Sequence, residues 1–152
     1  MSWYELLLTL HVLAAALWFG SGVATTVISY QLLAGDPQAY ARFAGPAGTW
    51  AGRAHPAAAF VILLAGLGMA ADADLSLGEL WLTLALAGWV ALLVLGGAFL
   101  SRTGMQLTRA YERSGGAPSE EARAVAGRML LLMRIETVLL LLVIVDMVVK
   151  PT

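Results

Sequence analysis

Trp3-Tyr4-Glu5-Leu6-Leu7-Leu8-Thr9-Leu10-His11-Val12-Leu13-Ala14-Ala15-Ala16-Leu17-Trp18-Phe19-Gly20-Ser21-Gly22 is long and apolar enough to cross a bilayer, whose hydrocarbon core takes about 20 residues of helix. It nevertheless carries an imidazole, His11, about two turns in from its start. A membrane span with one titratable group in it sets the two questions for the rest of the chain: how many more spans follow, and what they enclose.

The chain has 152 residues, 60% hydrophobic and 12% charged, with a mean hydropathy of +0.80. A soluble domain is about 25% charged, so this composition predicts an all-α integral membrane protein occupying 1–152 as a single domain. Net charge is −1, which leaves no basic footprint for nucleic acid. There is no cysteine, which excludes disulfides and thiolate metal sites. The first five residues hold no Lys or Arg, so the first segment is expected to be retained rather than cleaved as a signal.

Four spans are expected, at about 3–33, 49–71, 80–100 and 129–149. Ala34-Gly35 stops the first, and Asp36-Pro37 restarts a helix with Asp as N-cap and Pro at the first position. Gln38 to Ala44 reads as a short surface-lying connector ended by Gly45-Pro46, and span two is expected to begin near Thr49-Trp50 and to kink at Pro56. Asp72 to Glu79 is an acidic turn. Span three continues past the membrane through Arg102, Arg109 and Arg113, and Ser119-Glu120-Glu121 opens the last helix.

Arg42, Arg53, Arg102, Arg109, Arg113, Arg123 and Arg128 fall on one side of this arrangement and Lys150 alone on the other. The positive-inside rule then puts both termini outside in an up-down-up-down bundle.

The inward faces follow from spacing. His11, Ala15, Trp18, Gly22, Thr25 and Ser29 make one helical stripe that gathers polar and small residues. Gly52, Ala59 and Gly66 in span two, and Gly88 and Gly96 in span three, are expected to let backbones approach. In span four Glu136, Leu139, Val143, Asp146 and Lys150 share a face, and Asp146 and Lys150 are spaced to pair. An unpaired acid near the bilayer centre costs about 2.5–3.5 kcal/mol on insertion scales, so these groups are expected to find partners. Counting rise places His11 about 10 Å and Asp146 about 6 Å below the outer edge, one polar layer. It places Glu136 about 11 Å above the inner edge, with Arg134, Arg53 and His55 nearer that surface.

Each of these residues has more than one reading. His11 is a hydrogen-bond donor, a haem or metal ligand, or a proton carrier. His55 is an interfacial residue beside Arg53 or part of the inner layer. Glu136 pairs with an arginine or serves a site. Trp18 packs the bundle or walls a planar cofactor pocket. No P-loop, GxGxxG, GxSxG or HExxH occurs, and two histidines without cysteine make a poor zinc site.

Leu10-His11-Val12-Leu13-Ala14-Ala15-Ala16-Leu17-Trp18-Phe19-Gly20 and Asp146-Met147-Val148-Val149-Lys150-Pro151 together resemble a bacterial family of predicted integral membrane proteins of unknown function, across nearly the whole chain. The first motif also resembles the copper-resistance D-type membrane domain. Both ends, with Glu136, resemble the haem-containing membrane protoporphyrinogen oxidase family. That last resemblance implies haem b with His11 as axial ligand. The chain departs from the oxidase after Trp81, where Leu82-Thr83-Leu84-Ala85 stand in place of a lysine, and span three has no histidine. Three functions are therefore expected candidates: a haem-b redox or haem-handling protein using His11 and Trp18; a proton- or ion-linked small-solute transporter using His11, Glu136 and Asp146; and an accessory subunit, homo-oligomeric or bound to a membrane partner, packing through Gly/Ala faces.

Overall fold

The computed structural model describes residues 1–151. Four long helices follow in order: α1 (Trp3–Gly35), α2 (Pro37–Asp72), α3 (Leu80–Arg113) and α4 (Glu120–Val149). The first three are long and apolar enough to cross a membrane. α4 carries Arg134, Glu136 and Asp146 within its Leu/Val stretch. Ser2 and Glu5 cap α1 reciprocally, and Ser119 caps α4.

The helices run alternately up and down. α1 packs along α2, α4 packs on both α1 and α3, and α2 touches α3 lightly. Among the described residues α1 does not approach α3 and α2 does not approach α4 at the backbone, so those two pairs are the diagonals of the bundle. One end holds the Asp36 turn, the 114–119 connection and the arginines, and is called here the arginine-rich end. The other holds both chain ends and the acidic turn, and is called the terminal end.

The core is small-on-large. Ala14, Trp18, Ala58, Ala59, Leu92 and Leu140 form its centre. Gly88 of α3 lies so close to Val143 of α4 that a Cβ there would overlap Cγ2. Gly66 of α2 lies against the His11 ring, where a Cβ would stand 3.3 Å from Cε1. Gly52 and Gly96, expected at similar approaches, face open space. The spacing that suggested them fixes a face of a helix but not which neighbour that face meets.

The expected connector at 38–44 is a correction. α2 is unbroken from Pro37 to Asp72 and runs through both Pro46 and Pro56. Tertiary packing overrides the Gly45-Pro46 break: Tyr40 is 2% exposed and sits in a second core with Leu107, Ala110, Tyr111, Ala122 and Ala126. Asp36 does cap the new helix, accepting from the Gln38 and Ala39 N–H groups.

That second core lies beyond the apolar stretches, at the arginine-rich end. Burial, aided by Tyr111, pushes the Tyr40 phenol up to about 12 from 10.0. The phenol is neutral in folded and unfolded chains below pH 10, so stability is flat there. Above pH 10 the unfolded chain ionises first, and the stability associated with the neutral buried phenol is lost as pH rises towards 12. Thermal melts from pH 8 to 11.5 are expected to show this fall in the parent protein and a smaller one in Tyr40→Phe.

A third local feature sits in α3. Leu95–Leu100 is a π-helical segment, and the Ser101 hydroxyl donates to the Gly96 carbonyl at 3.1 Å. Such turns often mark functional sites. Its level follows from register. Gly88 faces Val143, the two helices are antiparallel, and seven residues on from each contact stand Leu95 and, seven back along α4, Glu136.

Candidate functional site

Glu136 is the buried acid of the bundle, 6% exposed, and three helices converge on it. Trp18 of α1, 3% exposed, donates its indole N–H to Glu136 Oε1 at 3.0 Å. His55 of α2 comes from the diagonal, and its Nδ1 stands 3.7 Å from the same Oε1. His55 Nε2 is 3.1 Å from Ser21 Oγ, and Ser21 Oγ is 3.1 Å from the Trp18 carbonyl, one turn back on α1. The Trp18 ring lies 6.0 Å from the imidazole, and Trp50 meets it edge-on at 6.0 Å. α3 contributes the π turn at this level.

Hydrogen counting on this cluster has one consequence. Ser21 has one hydroxyl hydrogen, and the Trp18 carbonyl can only accept it. With that hydrogen given to the carbonyl, His55 Nε2–H donates to Ser21 Oγ. Nδ1 is then unprotonated and stands 3.7 Å from Glu136 Oε1, slightly beyond hydrogen-bond length. A proton taken up by either group lies beside the other, and a small approach of the two side chains would let them share it. The cluster is a place where a proton has two chemically different homes, carboxyl and imidazole, with a hydroxyl next in line.

His11 is separate from this group. Its Nδ1 is 2.9 Å from the Ile62 carbonyl, and a carbonyl only accepts, so Nδ1 carries the hydrogen and Nε2 is left for another partner. No hydrogen bond or ion pair joins His11 to Asp146 among the described residues, so the expected outer layer is two separate groups. Trp18 stands seven residues along α1 from His11, about 10 Å at helical rise, with its N–H committed to Glu136.

The remaining polar residues depart from their expected pairings. Arg53 is exposed and lines a shallow surface groove with Pro46, Thr49, Trp50 and Ala54. It forms no ion pair with Glu136 among the described residues; Glu136 takes Trp18 and His55 instead. Arg134 lies 5.4 Å over the Tyr30 ring. Asp146 and Lys150 are not paired: Lys150 sits over Trp81. Sequence reasoning also missed Ser21, Trp50 and Trp89, whose indole donates to the Ala59 carbonyl at 3.0 Å. Their signal was that α1 keeps a serine near its buried stripe and that tryptophan N–H groups in apolar helices need acceptors.

A family model described as a predicted integral membrane protein (DUF2269) matches residues 5–151. The chain belongs to this family. No curated protein and no solved structure matches it. The DUF2269 match covers every residue of the cluster, from Trp18 to Glu136. Among the described residues there is no group of three or more His, Asp or Glu that could hold a metal ion.

Proposed function

We propose that this DUF2269 protein crosses the bacterial cytoplasmic membrane four times, with both termini outside, and conducts protons through the Glu136–His55 cluster. The observation that carries the reading is the facing of His55 Nδ1 and Glu136 Oε1 across the bundle diagonal, enclosed by Trp18 and Trp50. Intramembrane acids and histidines that pair with one another are the usual parts of proton relays. The four-span topology is supported by the arginines gathered at one end and by the length of α4, 30 residues.

Reconstitution tests the reading. In proteoliposomes loaded with a pH-sensitive dye, the parent protein is expected to collapse an imposed pH gradient. Glu136→Gln, which keeps an acceptor for Trp18 but cannot hold an exchangeable acid proton, is expected to slow this at least about 100-fold, the lower end of the range for proton transfer by one positioned side chain. Equal rates would remove the proposal.

One observation favours a second reading, haem b at His11. A ring whose Nδ1–H is fixed on a carbonyl presents Nε2 in a set orientation, as histidine ligands do. His11 Nε2 is the ligand atom this reading uses, with Trp18 about two turns along the same helix. Haem would supply redox chemistry there. Purified protein treated with hemin would then gain a Soret band that His11→Ala lacks; no band in the parent protein ends this reading.

A further inference from the structure

At the terminal end an ammonium and a half-buried carboxylate stand one turn apart and do not meet. Asp146 Oδ2 is cut off from solvent and has no hydrogen-bond partner. Lys150, the sole lysine of the chain, is four residues on, the spacing at which helical side chains pair. Its Nζ lies instead 5.1 Å from the centre of the Trp81 ring on α3, and among the described residues no ion pair joins it to Asp146. Lys150 closes α4 in the left-handed region, φ 49 and ψ 65, with its N–H on the Asp146 carbonyl at 2.8 Å. That bond holds the two residues one turn apart and leaves the long Lys150 side chain free to lie on the ring or to reach back to the carboxylate.

Trp81 and Lys150 are each seven residues from the tight Gly88–Val143 contact, toward the terminal end. The cation–ring contact therefore ties the far ends of α3 and α4 together. The other titratable groups at this end are engaged or stand apart. Glu5 of α1 accepts from the Ser2 N–H at 2.8 Å, and His11 has its Nδ1 on the Ile62 carbonyl and makes no hydrogen bond to Asp146 among the described residues. Asp72 at the end of α2, Asp74 in the turn and Glu79 before α3 make no ion pair with Lys150 among the described residues. Tyr4 adds a phenol at the start of α1.

Lys150 thus has two seats. The ring attracts the ammonium whatever the state of Asp146, and the carboxyl attracts it only when ionised. We propose that Asp146 and Lys150 form a proton-operated latch. With a proton on Asp146, Lys150 clasps Trp81 and holds α4 to α3. When the proton leaves to water, Lys150 swings to the carboxylate and the clasp opens. This latch is independent of the Glu136–His55 proposal and stands or falls separately.

A single lysine makes the test direct. Reductive methylation with ¹³C keeps the charge of Lys150 and labels only it and the Met1 amine, and Lys150→Arg assigns the signals. In the parent protein the Lys150 methyl signal is expected to be displaced upfield by the Trp81 ring at low pH and to move to its free position through one transition as pH rises. Asp146→Asn is expected to keep the displaced signal at every pH, and Trp81→Leu to lose the displacement at every pH. An undisplaced parent signal at low pH, a displaced one at all pH values, or an unchanged transition in Asp146→Asn would overturn the latch.

Discussion

Gly88→Ala is expected to destabilise the bundle by about 1–3 kcal/mol, the usual range for overpacking a well-filled core. The added methyl meets Val143 Cγ2 on α4, and a β-branched side chain has little rotamer freedom in a helix with which to move aside. α3 and α4 would have to separate at the contact that sets their register. Val143→Ala alone removes packing and costs a smaller amount, and the double variant Gly88→Ala/Val143→Ala is expected to recover most of the loss. Unfolding in mixed micelles, followed by tryptophan fluorescence, checks this. Purely additive effects in the double variant would show that the two residues do not meet.

Glu136→Ala is the second large effect. It strands the Trp18 indole N–H, which is buried and has no other acceptor. An unsatisfied buried donor costs about 1–3 kcal/mol. Glu136→Gln leaves a carbonyl oxygen for Trp18 and is expected to lie within about 1 kcal/mol of the parent, because one hydrogen bond is kept and no cavity forms. The same unfolding measurement separates the two. Trp18→Phe in the Glu136→Ala background is expected to restore part of the stability, since donor and acceptor are then both gone. If Ala and Gln variants were equally stable, Trp18 would have another partner.

Much of this architecture was legible because lipid imposes simple rules. The helix starts at Asp36 and Ser119 carried capping chemistry, and the His11–Trp18–Ser29 stripe was set by periodicity alone; Trp18 and Ser29 are buried and His11 half-buried. The Gly45-Pro46 break misled because a local signal was outweighed by Tyr40, whose partners lie on α3 and α4, far along the chain. Periodicity assigns a face to a helix but not the helix opposite. Hence Glu136 and His55 could be placed at similar depth, while their meeting across the diagonal could not be read. Asp146 and Lys150 had the right spacing to pair, but spacing along one helix is silent about Trp81 on α3, over which Lys150 lies.

The claim on which the functional account turns is that one proton is shared between Glu136 and His55. The protein has two histidines, so ¹⁵N-histidine NMR in a detergent or nanodisc sample reports on each ring, with His11→Ala assigning the pair. The account predicts that Glu136→Gln alters the His55 titration and leaves that of His11 in place. A His55 titration identical in the parent protein and Glu136→Gln would contradict it.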